Sequence, residues 1–418
     1  MNSGERHTML RTINQPKKVK HHNQKLILSM LRQNETLYIA DISKNAKLSK
    51  TTIAKMINEF EEKELIIAAG KGTSSDMGGK KPERFTLNPH YSHVVAMAIL
   101  NDRIIGALAD LKCNLLHQRN VECDIDVGYE QAVEKMAQMV LALMEDAKLE
   151  SNSLCRIIIG CEGVVDAAKN AVHYTVYHLW GRNLPICEDL AKRLPFPCEI
   201  RVNNNVRLAG YAQLILNPGQ YGTIVVISSS YSAGGCIIES RQLIHGPNGF
   251  VGEFGHMILD PHSKVKCSCG SCGCFGALAS PNEMMAAAHE KHADYPQSVI
   301  QAKARDNSLS IEDVFKASNA GDPFACMLID RVVPYFAMLI HNIVILRDPV
   351  KVIIQGTYSA AGNYFIKTLR QKVASFPFYK MERNLPIEYS TITAFNPFLV
   401  GAAYFAVDEF LNSNEIYD

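Results

Sequence analysis

The residues of this chain best suited to chemistry lie between Gly252 and Gly276. His256 is followed by Cys267, Cys269, Cys272 and Cys274, four cysteines within eight positions, interspersed with serines and glycines. Three thiolates and one imidazole can close a tetrahedral shell around a single ion, and that donor set points to zinc. Glycines between the cysteines let the chain turn sharply enough for neighbouring sulfurs to converge. The competing reading is a disulfide-linked knuckle, which requires an oxidising compartment. The other eight cysteines, Cys113, Cys123, Cys155, Cys161, Cys187, Cys198, Cys236 and Cys326, are scattered through apolar segments, as suits buried reduced thiols.

A site of this kind needs a body to hold it. With 418 residues and a hydrophobic fraction of 47%, the chain can build two or three domains. Met1 to Gln15 has no apolar run of signal-peptide type, and no stretch is expected to approach the ~20 apolar residues of a membrane span. The expectation is a soluble cytoplasmic protein with no membrane partner. Net charge is +1, but it is unevenly spread. Residues 1–90 carry 16 Lys and Arg against 9 Asp and Glu, so the basic excess is concentrated at the N-terminus and the remainder is mildly acidic. That asymmetry predicts a head that binds a polyanion.

Three short helices are predicted in this head. Lys17 to Lys25 leads into an apolar stripe of Leu26, Ile27, Met30 and Leu31, and a second helix carries Ile39, Ile42 and Ala46 on one face. Ser49 caps a third, from Lys50 to Lys63, with the stripe Ile53, Met56, Ile57 and Phe60. Two helices joined by a short turn, the second polar and basic at its start, read as a helix-turn-helix. Its DNA-facing residues would be Ser49, Lys50, Thr51, Thr52 and Lys55, whose hydroxyls and amines reach base edges and phosphates. Two short strands around the Gly- and Lys-rich stretch 70–81 then form a wing, with Lys80, Lys81 and Arg84 as further DNA contacts.

Beyond Asn88-Pro89 the pattern changes to α/β. Strands are predicted over 94–100, 104–111 and 115–121, a helix over 129–149, and strands over 157–160, 163–166 and 199–202 with a helix over 184–194 between them. A similar run follows: strands at 221–228 and 235–244, one long helical region around 282–320, a segment at 323–347, a strand at 351–355 and a closing helix from Pro397. The repeated order implies two related lobes, with ligands between them and at strand ends.

Several motifs together resemble the ROK family of repressors and sugar kinases. They are Gly252-Glu253-x-Gly255-His256, Cys267-x-Cys269-Gly270-x-x-Gly273-Cys274, Gly160-x-x-Gly163-Val164-Val165-Asp166, the closing Gly401-Ala402-Ala403, and the winged helix with Gly78-Gly79-Lys80-Lys81-Pro82. The resemblance spans nearly the whole chain. It implies a two-lobed body of the actin-like, ribonuclease-H-like ATPase fold over 89–418, preceded by a winged helix-turn-helix DNA-binding domain over 1–88. Lobe one would cover about 89–204 plus the C-terminal helix, and lobe two about 205–396. It also implies His256, Cys267, Cys269 and Cys274 as ligands of a structural zinc, with Cys272 a spare thiol that could substitute.

The departures from the kinase pattern are as informative as the matches. Kinases of the family hold a general-base Asp at the position of Asn205, and a carboxamide cannot accept the proton of a sugar hydroxyl. The Gly-rich phosphate turn after the first body strand is replaced by Met97 to Arg103. The second is replaced by Ser228 to Gly235, and the paired glycines near the last nucleotide strand by Gln355-Gly356. No ATP cofactor and no kinase activity are therefore expected. The sugar-holding set survives in part: Asn204, Asn205, Glu253 and His256 remain, with Trp180 as a stacking surface, whereas the expected carboxylate two residues past the last zinc cysteine is Gly276. The expected function is a DNA-binding repressor of carbohydrate-metabolism genes, a homodimer or tetramer on operator DNA answering to a sugar or sugar derivative. The alternatives are a sugar kinase with residual activity and a regulator sensing a protein partner.

Overall fold

The computed structural model describes residues 16–71, 82–166, 169–175, 180–216, 222–230, 233–240, 242–244, 246, 249–377, 385–392 and 397–417. The chain divides into two compact units. One comprises residues 1–161, 177–203 and 399–418, and the other 162–176 and 204–398.

The first unit opens with helix α1 (Pro16–Gln33), strand β1 (Leu37–Tyr38), helices α2 (Ile39–Ala46) and α3 (Lys50–Glu62), and strands β2 (Ile66–Lys71) and β3 (Glu83–Leu87). β1, β3 and β2 form a three-stranded antiparallel sheet, so the wing strands are in place; the expected wing residues Lys80 and Lys81 lie outside the described residues. Ser49 begins α3 as anticipated, its Oγ accepting from the Thr52 amide at 3.1 Å. Ile53, Met56, Ile57 and Phe60 are all buried, as the 3.6-residue period demands. In α1 the buried face is Ile27, Leu28 and Leu31, and Leu26 is 36% exposed, so the stripe is rotated from the expected one. Alanine at Ser49 leaves the Thr52 amide without its side-chain acceptor. We expect Ser49→Ala to lower the stability of this head by about 1 kcal/mol, with Ser49→Asp recovering most of it, read by thermal unfolding.

The body of this unit is a five-stranded sheet in the order β10-β7-β4-β5-β6. Its members are β4 (His93–Ile99), β5 (Arg103–Asp110), β6 (Leu115–Glu122), β7 (Leu154–Cys161) and β10 (Glu199–Asn204), with α4 (Tyr129–Asp146) between β6 and β7. The ribbon β8 (Gly163–Asp166) and β9 (Ala171–Thr175) falls in the second unit, and α5 (Ile186–Ala191) precedes β10. β4 to β6 form an antiparallel meander, and β7 runs parallel to β4.

The second unit repeats this scheme. After α6 (Asn205–Leu216), the meander β11 (Ile224–Ser229), β12 (Ala233–Glu239) and β13 (Gln242–Leu243) is extended by β14 (Lys351–Gly356) and β15 (Ile387–Tyr389), in the order β13-β12-β11-β14-β15. Here too the strand beyond the meander, β14, runs parallel to its first member, β11. Helices α7 (Phe275–Leu278), α8 (Pro281–Lys291), α9 (Gln301–Arg305), α10 (Ile311–Asn319), α11 (Pro323–Arg347) and α12 (Gly362–Ala374) complete it, and α13 (Pro397–Asn412) leads back into the first unit. The expected long helix around 282–320 is thus three shorter helices. Ser280 and Ser310 each cap a new start, and the chain reverses at Asn307 with φ +54°. α12 and β15 had no clear signal. Contrary to expectation, α11 is long and apolar enough by length and composition to cross a membrane. Phe324, Leu328, Ile329, Val332, Phe336 and Ile340 on it are instead buried in the core of the second unit.

Candidate functional site

In the second unit the knuckle is a small folded hairpin. Ile258 bridges Cys274 and Lys266 bridges Cys272, with Phe275 N–H donating to Met257 O at 2.8 Å and Cys267 N–H to Ser271 O at 2.8 Å. Gly273 sits at φ +71°, and a Cβ there would lie 1.7 Å from Asp260 O, so only glycine fits. These constraints bring His256, Cys267, Cys269 and Cys274 together, with their donor atoms all within 4.8 Å of one another. His256 Nδ1 is 3.5 Å from Cys267 Sγ, and Cys269 Sγ is 3.8 Å from Cys274 Sγ. A tetrahedral ion with bonds of about 2.3 Å to sulfur and about 2.05 Å to nitrogen places two sulfurs about 3.8 Å apart and sulfur and nitrogen about 3.6 Å apart. The four side chains therefore fit one metal ion. Cys272 is not among them. With Nδ1 turned to the thiols, Nε2 is left on the other edge of the His256 ring.

The His/Cys cluster adjoins the turn that carries Glu253. A 3₁₀ turn spans Phe254–His256, and His256 N–H donates to Glu253 O at 3.0 Å. Gly252 (φ +92°) approaches Gly235 so closely that a Cβ would lie 2.1 Å from its carbonyl oxygen. The Glu253 carboxyl is held above its ordinary range by burial, an effect opposed by the Arg207 guanidinium. Burial lowers Arg207 in turn. The Arg207 guanidinium donates to Gly249 O, and to Val251 O at 3.3 Å, fastening the loop before Glu253 to α6. Arg207 is the residue of this arrangement least visible in the sequence. Its signal was a lone cation in the apolar stretch from Val206 to Leu216.

Asn204 and Asn205 stand where β10 passes into α6. Asn204 Nδ2 donates to Gly163 O at 2.9 Å, and its Oδ1 accepts from Val206 N–H at 2.8 Å, so this side chain ties the β8 ribbon to the helix start. Asn205 is 1% exposed. The site of a Cβ on Gly234 would have Gly252 O at 3.6 Å and a Val206 methyl at 3.7 Å, which puts the Asn205 and Glu253 segments side by side. Gly276 lies against the same turn, its Cβ site 3.1 Å from Gly255 O. Trp180 belongs to the first unit. There its Nε1 donates to Val127 O at 2.7 Å, and its ring meets Tyr129 edge-on at 5.9 Å.

The segments expected to stand in place of the phosphate turns make contacts within the chain. Met97 and Ala98 are fully buried within β4. Ser228 and Ser229 are buried in β11, and Ser230 Oγ accepts from Thr357 N–H at 3.1 Å, where a Cβ on Gly356 would lie 2.6 Å from it. Gln355 is buried, its Oε1 accepting from Gln213 Nε2 at 3.1 Å.

In the head, Ser49, Lys50, Thr51, Thr52 and Lys55 are all exposed, Ser49 as the N-cap and the others in the first two turns of α3 outside its buried stripe. Arg84 is half-buried on β3. The exposed start of a helix bearing hydroxyls and amines is suited to phosphates and base edges.

Comparison with known proteins matches both parts of the chain. Residues 21–67 match the MarR family model. The xylose repressor of Bacillus subtilis (strain 168) is 23% identical over 397 residues, covering 94% of this chain and 97% of its own. The DNA-binding transcriptional dual regulator NagC of Escherichia coli (strain K12) is 21% identical over 376 residues, 90% of each chain. A glucokinase of Halalkalibacterium halodurans is 26% identical over 227 residues, 54% of this chain and 68% of its own. Among solved structures, a ROK family transcriptional regulator, homolog of the E. coli MLC protein, superposes with a TM-score of 0.79 at 21% identity, over 96% of this chain and 98% of that one. A ROK family glucokinase from Streptomyces griseus, in complex with glucose and AMPPNP, gives 0.63 at 21% identity, over 75% of this chain and 99% of its own. These superpositions establish the shared fold. The ROK family model itself matches residues 95–409, the entire body from β4 into α13, and the chain therefore belongs to the ROK family.

Proposed function

We propose that this protein is a sugar-responsive transcriptional repressor of carbohydrate-metabolism genes that has no kinase activity. Its DNA-binding domain would be residues 1–88 and its effector-binding body 89–418, acting as a homo-oligomer on operator DNA in the cytoplasm. The observation that carries the reading is the exposed turn Ser49 to Lys55 on a winged helix, in a chain aligned along nearly its whole length with two transcriptional regulators. The ion at His256, Cys267, Cys269 and Cys274 is proposed to be zinc, which favours a tetrahedral set of thiolate and imidazole donors, and to be structural, since the four ligands leave no open position for a catalytic water. Its role is to hold the turn that presents Glu253 and the free edge of His256.

Effector binding would use Glu253, His256, Asn204 and Asn205; Trp180, the expected stacking residue, belongs to the first unit, where its ring packs on Tyr129. Glu253 accepts hydrogen bonds from ring hydroxyls, and Asn205 both donates and accepts without removing a proton. That difference separates binding from turnover: phosphoryl transfer needs a base at this position, and an amide is not one. The glucokinase relatives make kinase activity the second reading.

One set of assays distinguishes the two. The purified full chain, incubated with labelled ATP and a panel of hexoses, pentoses and their N-acetyl and phosphate derivatives, is expected to give no phosphorylated sugar, while at least one compound raises the melting temperature. Glu253→Gln is expected to weaken that compound by about 10- to 100-fold, the ~1.5–3 kcal/mol of hydrogen bonds to a charged group. Sugar phosphorylation would overturn the non-enzymatic reading, and undiminished binding by the variant would remove Glu253 from the effector site.

A further inference from the structure

Phe250 is 64% exposed, although the loop that carries it is fixed on each side. Before it, Gly249 sits at φ +74°, and a Cβ there would lie 3.0 Å from Val165 O of β8. The buried Arg207 guanidinium donates to the carbonyls of both flanking residues, Gly249 and Val251. Val251 in turn packs on Gly246, where a Cβ would lie 2.9 Å from its methyl group. A single exposed apolar side chain is ordinary on a protein surface. What sets Phe250 apart is its place.

Phe250 and Glu253 are the two ends of one β-turn. Glu253 N–H donates to Phe250 O at 3.2 Å, and Gly252, third of the four residues, has φ +92°, as that position of a type II turn requires. The turn keeps the two Cα atoms within about 7 Å of each other. On the other side lies the β8 ribbon. Its Val165 meets Gly249, and two residues earlier Gly163 O accepts from Asn204 Nδ2 at 2.9 Å. The exposed ring thus stands on a loop bounded by Glu253 at one end and by the strand that Asn204 holds at the other. All of these residues belong to the second unit.

We propose that Phe250 is the apolar platform of the effector site, against which the C–H face of a pyranose lies while Glu253 and the asparagines take its hydroxyls. This rests on the effector-binding reading above and deepens it by naming the ring face as the feature recognised. A pyranose carries hydroxyls around its rim and C–H bonds on its faces. A carboxylate at the rim and a phenyl ring against one face match both, since the electron-poor C–H groups meet the negative face of the aromatic quadrupole. Arg207 is not available to the sugar in this arrangement, because its guanidinium is turned to the carbonyls of Gly249 and Val251.

The test uses the full chain and five probes, D-glucose, D-galactose, D-mannose, D-xylose and N-acetyl-D-glucosamine. Each is compared with its alditol, which keeps the hydroxyls but has no ring face. By titration calorimetry the wild type is expected to hold its best-bound pyranose at least about tenfold tighter than the alditol. Phe250→Ala is expected to weaken that pyranose by about tenfold and the alditol by less than about twofold, with Phe250→Tyr, which keeps the ring, recovering most of the loss. In the wild-type complex the C–H protons of the pyranose should move upfield under the ring current, a shift that Phe250→Ala abolishes. Because the ring is exposed, the unliganded Phe250→Ala protein should melt within about a degree or so of the parent. A pyranose bound normally by Phe250→Ala but weakened by Glu253→Gln would overturn the inference and leave the effector reading standing. Equal losses of pyranose and alditol in Phe250→Ala would also overturn it, being the result of a merely structural side chain. If no pyranose binds but another compound of the wider panel does, the ring-face inference alone falls; if nothing binds, the effector reading falls with it.

Discussion

Cys274→Ser protein is expected to purify with less than about 0.1 equivalent of zinc, where the parent carries about one, and to be less stable by ~3–5 kcal/mol. Cys274 is fully buried, immediately before α7, and its neighbour Phe275 packs edge-on against Phe336 of α11 at 4.9 Å. A metal bond at this residue would tie the knuckle to the core of the second unit, so its loss would free both the hairpin and the turn bearing Glu253. Serine keeps the size but offers a hydroxyl that does not ionise to replace the thiolate. Cys272→Ser, which alters the same hairpin outside the four-residue cluster, should keep its metal and its stability. Metal content by mass spectrometry and thermal unfolding read both variants. A full equivalent in Cys274→Ser would dismiss the ligand assignment, and loss in Cys272→Ser would place the fifth cysteine in the shell.

The second large effect is on DNA. Lys50→Ala/Lys55→Ala is expected to weaken duplex binding by about tenfold near physiological salt and to reduce the slope of log affinity against log salt by about 2, one counterion for each lost phosphate contact. Both lysines are exposed, and the core face of α3 is formed by Ile53, Met56, Ile57 and Phe60, so the melting temperature should stay within a degree or so of the parent. An unchanged salt slope would move the DNA surface elsewhere on the head.

These two predictions draw on different kinds of legibility. The face of α3 could be read in advance because a helix converts sequence spacing into direction, and the Ser49 cap follows from a hydroxyl beside an unsatisfied amide. The knuckle could be read because four soft donors in a short loop have few other uses. α1 was read less well: a stripe of Leu26, Ile27, Met30 and Leu31 leaves the choice of buried face to whatever packs on it, and the fold selects Ile27, Leu28 and Leu31. The region 282–320 looked continuous because apolar and helix-favouring residues recur throughout it. Its breaks come at the 3₁₀ turn His292–Asp294 and at Ser310, whose cap starts a new helix in competition with continuation of the old one.

By itself, then, the sequence determined that soft donors crowd one short loop after His256, that α3 buries Ile53, Met56, Ile57 and Phe60, and that an amide rather than a carboxylate stands at Asn205, because each depends on residue type or on spacing along one element. Tertiary structure decided which three of four cysteines converge with His256, that Arg207 fastens the loop before Glu253, and that Ser230 closes on Thr357. It alone decided that the C-terminal segment joins the head to its sheet. Arg32 and Asp408 are far apart in the chain, and no local period or propensity brings them together; only the packing of α13 does.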